Sequence, residues 1–311
     1  RLRNARHGAD RSLAATLADL SYDEGLDPAA KRLLDWSLFR QVELGSTAPL
    51  DRLSTLAFGR GEEFGGPDVI LPGGFAELVG ILDDGLTVKH GHEATSIHVG
   101  PGTASVVTPL GTFQAEHVVC TLPLGVLKKH RVQFFPDLPA DIRTAVARLG
   151  FGTTAKVALR FAEQFWDADA HFLGRIASVP GESLEFLSVA RFEDTPILVA
   201  EATGRFASAL ESLSAPAAAA RVMQDLRAMY GSGIPDPVGV ERTTWGGDPA
   251  TGGSTTYFAT GSSPADCAAF ARVVAGRLHF AGEHTSAAHT GTVHGAYLSG
   301  IAAARRVAAG R

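Results

Sequence analysis

Apolar residues along the chain recur at helical spacing, at strand spacing and in short unbroken runs, and each regime predicts a different element. In "GLDPAAKRLLDWSLFRQVELG", Leu33, Leu34, Trp36 and Leu38 follow Asp27-Pro28, so a capped helix ending at Gly45 is expected. The polar, glycine-rich "FGRGEEFGGPDVILPGGFAELVGIL" closes on a second helical pattern. The period then changes. "LTVKHGHEATSIHVGPGTASVVTPLGTFQAEHVVCTLPLGVL" reads as short strands broken by Gly-Pro and Leu-Gly turns, and "PADIRTAVARLG" as a helix. Between Ala155 and Gly204, "AKVALRF", "HFLGRIAS", "LEFLSVAR" and "ILVAEATG" predict an antiparallel sheet. "SAPAAAARVMQDLRAMYG" predicts a helix capped by Ser214 and stopped by Gly231. "RLHFAGE" predicts a buried strand, and "TVHGAYLSGIAAARRVAA" a closing helix rich in small residues. No fixed-period repeat interrupts this order, and the fold class it implies is mixed α/β, or α+β.

Length and charge narrow the class. The 311 residues, 45% hydrophobic and 20% charged, exceed one small core and suggest two domains or two interleaved ones. A formal net charge of −5 lacks the basic stripe of a nucleic-acid binder, so no nucleic-acid partner is expected. No run of about 18 apolar residues occurs, and no membrane span is expected. Cys120 and Cys267 form neither a C-x-x-C pair nor a zinc spacing, which argues against a disulfide scaffold and for a reducing, cytoplasmic setting. The Arg-rich opening "RLRNARHGADRSLAATLADL" has no signal-peptide apolar centre, and the chain begins without Met, so an upstream segment is expected.

"RLGFGTTAKVALRF", positions 148–161, contains G-x-G-x-x-A followed by a lysine. A dinucleotide fingerprint needs a strand to deliver the glycines and a helix start to receive the phosphates. Here a helical pattern enters and a strand leaves, and Lys156 is followed by Val157 rather than Ser or Thr, so a helix-to-strand turn is expected. On a period-2 strand Lys156 shares its face with Ala158 and Arg160, and this pattern makes it solvent-facing.

"RLHFAGEHTSAAHTGTVHGAYLSGIAAARRVAAG" is richer in candidate chemistry. A carboxylate, Glu283, follows Gly282 just past a strand end, where open α/β sheets bind ligands. The helix start near Thr292 brings free N–H groups to the same place, suited to an electron-rich ligand edge. Gly291, Gly295, Ala296, Ser299, Gly300 and Ala303 keep that helix slim; a plain β-α unit packing on its sheet accounts for them equally well. His279, His284, His289 and His294 recur every fifth residue, but across a strand, a loop and a helix, so no metal site is expected.

"FAGEHTSAAHTGTVHGAYLSG" closely resembles the flavin-containing amine oxidases, the family of polyamine and monoamine oxidases and flavin-dependent histone lysine demethylases. "LPGGFAELVGIL", "VVCTLPLGVLK", "VQFFPDLP", "LGFGTTAKVALRFAEQFW" and "TTWGGDPATGGSTTYFATGSS" resemble it too, in the family's order, from about Leu33 onward. The resemblance implies an FAD domain interleaved with a substrate domain: substrate segments 1–65 and 131–262, FAD segments 66–130 and 263–311. It also implies oxidation of a small-molecule amine to an imine, with flavin as hydride acceptor and oxygen as the final acceptor. By position, Lys156 matches the lysine that holds a water at the flavin, which implies a buried ammonium and reverses the solvent-facing reading. Glu283 beside Gly282 matches the acid contacting the ribityl or ribose region, and Thr292 and Val293 match the helix start at the pyrimidine end. Trp245 matches an aromatic wall beside the ring, Thr121, Leu122 and Pro123 a segment passing the cofactor, and Ala94 a position whose backbone meets the adenine.

Three departures qualify what the resemblance implies. Monoamine oxidases attach flavin through a cysteine beside the "GG"; Ser254 stands there, so the FAD is expected to be non-covalent. Many members follow it with an aromatic residue, where this chain has Thr255, with Tyr257 two residues on. Family members also begin with a βαβ unit of roughly 30 residues carrying G-x-G-x-x-G. This chain has none, so a separate or missing N-terminal FAD-binding segment is expected as partner. Glu43, Thr255, Tyr257 and His289 are the candidate substrate-side residues. The alternatives are an L-amino-acid oxidase on the same fold, using Arg40, Arg191 or Arg205 to fork a carboxylate, and a non-catalytic remnant or subunit.

Overall fold

The computed structural model describes residues 8–62, 64–66, 69–177 and 181–310; the opening stretch 1–7 of the Arg-rich segment lies outside it. Helix α1 (Leu13–Asp19) is capped by the Ser12 hydroxyl, and α2 (Pro28–Leu38) by the Asp27 carboxylate, which accepts from Ala29 N at 2.8 Å and Ala30 N at 2.9 Å. The expected stop at Gly45 is corrected. The helix widens into a π-helical turn over Phe39–Glu43, continues as α3 (Leu44–Ser46) and ends at Thr47, a non-glycine residue with φ of 55°. A bond between the Thr47 and Thr255 hydroxyls, 2.9 Å apart, holds that left-handed residue.

Helix α4 (Phe75–Asp83) buries none of its residues, and Phe75, Val79 and Ile81 are among its exposed apolar side chains. The next segment forms strands β1 (Ser96–Val99), β2 (Ala104–Thr108), β3 (Gly111–Ala115) and β4 (Val118–Cys120), then the short helix α5 (Leu124–Lys128). The expected strand character of "LTVKH" is not realised, since residues 86–95 form no strand. Strand β5 (Gln133–Phe135) completes a sheet of order β3-β2-β1-β5 by pairing parallel to β1.

Helix α6 (Ala140–Arg148) leads through β6 (Gly150–Phe151) into β7 (Thr154–Arg160), so the glycine motif is indeed a helix-to-strand turn. Its glycines serve close packing. A Cβ on Gly150 would lie 2.3 Å from the Tyr257 ring, and one on Gly152 would lie 2.2 Å from the Thr47 carbonyl oxygen. Strands β8 (Phe172–Arg175), β9 (Leu184–Ser188) and β10 (Ile197–Thr203) join β7 antiparallel, as their alternation predicts. A fifth strand, β11 (Gly239–Arg242), lies on the other side of β7, giving the order β11-β7-β10-β9-β8. Ala155, Val157, Leu159 and Phe161 point into the main core against α7 (Gly204–Ser212) and α8 (Ala215–Tyr230), which supply Phe206, Leu210, Val222 and Leu226. Helix α8 has the expected Ser214 cap and a stop at Gly231, whose φ is 89°.

Strand β12 (Thr256–Tyr257) returns to pair with β6. Helix α9 (Pro264–Ala269), strand β13 (Leu278–Phe280) and helix α10 (Val293–Ala309) end the chain, and β13 runs parallel to β4. Gly152→Ala and Gly45→Ala separate packing from propensity. The first drives a methyl into backbone and is expected to destabilise by about 3 kcal/mol. The second has nothing within 4 Å of its added Cβ and is expected to be stabilising by up to about 1 kcal/mol; denaturant unfolding of both variants checks this.

Candidate active site

The site is built where β12, the loop before α10 and the α2–α3 turn meet. Ser254 and Thr255 are held by the glycine motif: Ser254 N donates to Gly152 O (2.7 Å), Gly152 N to Thr255 O (2.7 Å), and Thr154 N to the Ser254 hydroxyl (2.9 Å). Opposite, Gly282 has a φ of 138°, and its N–H donates to the Ser299 hydroxyl about two turns inside α10. The next residue is the keystone. Glu283 Oε1 accepts from the Thr256 hydroxyl (2.7 Å) and N–H (3.3 Å), and Oε2 accepts from Gly291 N (2.8 Å). Burial pushes the Glu283 carboxyl above its usual range, against the lowering effect of these three donors.

The loop 286–292 is tied equally tightly. His289 N donates to the Ser286 hydroxyl (3.1 Å), the Thr292 hydroxyl donates to His289 O (2.8 Å) and, as N-cap, accepts from Gly295 N (3.0 Å). The His289 ring donates from Nδ1 to Glu62 O (3.1 Å) and stacks on Phe64, with centroids 4.9 Å apart.

A cavity of about 430 Å³ lies between these pieces. Thr255, Tyr257, His289 and Thr292 all line it, so four candidates from distant sequence positions share one wall. Gln41, Gly45 and Ser46 of the helical turn face them, with Arg60 and Glu62 at the rim. Gly282 and Glu283 sit behind that wall as its clamp rather than on it, and Val293 begins α10 at 57% exposure. A larger cavity of about 550 Å³, lined by Leu127, Phe134, Leu138 and Arg143, contains none of the candidates.

Two expectations need correction. Lys156 does not line the cavity and is not buried: its side chain is 50% exposed and ion-paired with Glu201, its register partner on β10. Alternation on β7 dictates this, because the opposite face is filled by the core. Lys156 is nonetheless beside the Trp245 loop, since its N–H donates to the Thr243 hydroxyl at 2.9 Å. Glu43 also leaves the site. It caps Leu50 N at 2.8 Å and lines a separate cavity of about 230 Å³ with Trp36 and Phe39. Desolvation there raises its carboxyl above the usual range.

Thr121, Leu122 and Pro123 follow the end of β4, and Gly282-Glu283 follow the end of β13, so two loops leave the carboxyl ends of adjacent parallel strands. Ligands of α/β folds commonly bind beside such strand ends, and the start of α10 follows the same loop. Trp245, 43% exposed, closes its own loop by accepting from Gly253 N at 2.9 Å, while Ala94 packs before β1 against the core beneath this layer. Arg40, Arg191 and Arg205 do not line the cavity; Arg40 pairs with Glu185 and Arg205 with Asp51. The four histidines part company: His279 meets His117, His284 packs edge-on to Phe270, and His289 and His294 meet Phe64. Among the described residues, no three His, Cys, Asp or Glu gather as a metal-binding set, and no helix is long and apolar enough to cross a membrane.

Gln41, Ser46, Arg60 and Glu62 are cavity residues that the pattern reading did not single out. Gln41 lies inside a predicted helix whose π-helical turn has no sequence signature, and Arg60 and Glu62 lie in a glycine-rich stretch with no period.

A hydroxyl-bearing cavity beside parallel-strand ends, on a mixed helix-and-strand fold, is an arrangement in which small-molecule and cofactor sites recur. Comparison with known proteins gives this arrangement its family: the family of flavin containing amine oxidoreductases matches residues 1–308, and the chain belongs to it. The chain is 37% identical to the Lysine-specific histone demethylase 1 homolog 1 of Oryza sativa subsp. japonica, over 97% of this chain and 36% of that protein. It is 35% identical to the Lysine-specific histone demethylase 1 homolog 2 of Arabidopsis thaliana, over 92% of this chain and 39% of that protein. It thus spans well under half the length of these relatives. A wild-type putrescine oxidase bound to putrescine shares the fold, with a TM-score of 0.74 and 22% identity over 96% of this chain and 68% of that one. FAD is the cofactor that membership of this family implies.

His284 supplies a pH test of the clamp region. Burial holds its imidazole down to about 4, so the unfolded chain binds a proton near pH 6.5 that the folded chain refuses until about pH 4. Stability is therefore expected to fall by roughly 3 kcal/mol as pH drops from 6.5 to 4. His284→Phe is expected to remove most of that slope in urea unfolding measured across this range.

Proposed function

We propose that the chain forms the amine cavity and the flavin-facing wall of an FAD-dependent amine oxidase that converts an amine to an imine, with oxygen as acceptor. The carrying observation is the single cavity shared by Thr255, Tyr257, His289 and Thr292 at the start of α10. Thr121–Pro123, Gly282-Glu283, Thr292-Val293 and Trp245 would hold the isoalloxazine and ribityl parts, and Ala94 the adenine side. Bound there, the flavin supplies the hydride-accepting chemistry. The protein's own part is to orient the amine against Thr255 and Tyr257 and keep the wall rigid through Glu283. Glu62 at the rim suits a cationic amine.

Attachment of the flavin is proposed to be non-covalent. Ser254 is engaged with Thr154, and burial pushes both the Cys120 and Cys267 thiols up to about 11, far from the reactive thiolate range. The exposed apolar faces of α4 and α10, with Ile81, Val293 and Tyr297, suit docking of a phosphate-binding βαβ unit from elsewhere in the whole protein. On this reading segments 66–130 and 263–311 belong to the flavin-binding half, and 1–65 and 131–262 to the substrate half. A second reading, oxidation of an α-amino acid, rests on Arg60 at the cavity rim. It requires an amino acid to be oxidised faster than its decarboxylated amine.

The whole protein is expected to purify yellow, to release its flavin on denaturation and to produce peroxide from an amine. Colourless whole protein unmoved by added FAD contradicts the reading.

A further inference from the structure

Most polar side chains on the cavity wall are already engaged within the protein. The Thr255 hydroxyl meets Thr47, Thr256 donates to Glu283, Thr290 to Ser286 O, Thr292 to His289 O, and Ser54 accepts from Ala57 N. A hydroxyl satisfied internally gives shape and little recognition, because a ligand can displace its bond only by leaving a partner unpaired.

Gln41 differs. Among the described residues it is the only carboxamide lining this cavity. It sits on the π-helical turn Phe39–Glu43, closed by Leu44 N donating to Phe39 O. Phe39 and Glu43, four residues apart, share the face that borders the smaller cavity with Trp36, while Gln41 and Gly45, also four apart, border the main one. The turn is anchored at both ends: Phe39 is 5% exposed, and Thr47, strained at φ of 55°, is bonded to Thr255. Backbone held this firmly fixes where the Gln41 amide originates, which a loop residue could not do.

We propose that Gln41 is a specificity-determining residue of the amine cavity, and that its carboxamide selects amines carrying a neutral hydrogen-bonding group, a hydroxyl or an amide, along the chain away from the nitrogen. The proposal rests on the amine-oxidase reading of the same cavity. A carboxamide offers one acceptor and two donors without charge, so it matches a hydroxyl or amide, gains nothing from a methyl, and repels no cation strongly. Glu62 at the rim is left to the ammonium end.

The test uses three probes of equal length, butylamine, 4-aminobutan-1-ol and 1,4-diaminobutane, with anaerobic binding titrations and steady-state kinetics both carried out on the whole flavoprotein. Wild type is expected to bind aminobutanol about tenfold tighter than butylamine, the worth of one neutral hydrogen bond. Gln41→Leu is expected to erase that preference, raising KM for aminobutanol about tenfold with kcat within about twofold. Gln41→Glu is expected to shift the preference to the diamine by about tenfold. A preference for aminobutanol that survives in Gln41→Leu, or is missing in wild type, overturns the role of Gln41 while leaving the amine cavity standing. Failure of all three probes to bind wild type sinks the cavity reading and this proposal with it.

Discussion

The clamp at Glu283 is the contact on which the rest of the site depends. One carboxylate, just beyond a strand end, gathers three donors from two segments that have no other reason to meet: β12 and the loop before α10. Hydrogen bonds to a charged acceptor are worth roughly 1.5–3 kcal/mol each, while burial of the charge works in the opposite direction. The upward shift of this carboxyl is the trace of that opposition, with desolvation its largest cause. Removing the carboxylate would leave the Thr256 and Gly291 amides without their acceptor and let the cavity wall part from α10.

A second constraint is steric. Gly150 and Gly152 let Tyr257 and Thr47 approach to distances no side chain would permit, so the cavity floor is drawn tight against the strand entering the main sheet. The same strand then divides its faces. One face is core; the other carries the row Lys156–Glu201–Glu185, with Arg40 closing it from the helical turn. The two facing glutamates each take a cation, Glu201 from Lys156 and Glu185 from Arg40, which explains a half-exposed lysine held in one orientation at modest energetic gain.

Much of the frame was legible from pattern. Alternation in "AKVALRF" and "ILVAEATG", the Ser214 cap, the Gly231 stop and the helix start near Thr292 correspond to observed elements because each is a local rule. The helix-to-strand reading of "GFGTTA" held for the same reason, since order along the chain forbade a phosphate loop. What pattern could not supply was tertiary. The π-helical turn moved the helix end from Gly45 to Thr47 and sent Glu43 and Gln41 to different cavities, and nothing in "SLFRQVELGS" distinguishes that from a regular helix. Lys156 shows the converse. Alternation alone gave its exposure correctly, and positional resemblance to a family overrode it. Glu283 is legible as a carboxylate at a strand end, but its part as a clamp is not, because its protein donors lie 27 residues upstream and eight downstream.

The central claim is that this fold brings an amine and a flavin to one wall, the start of α10 and β12. Anaerobic titration of the whole protein with 4-aminobutan-1-ol, followed by flavin absorbance, tests it most directly. Full bleaching of the oxidised flavin band at one equivalent of amine, restored on admitting air, is the result this account predicts. A flavin band that stays oxidised under excess amine, in protein shown by calorimetry to have bound it, would contradict it.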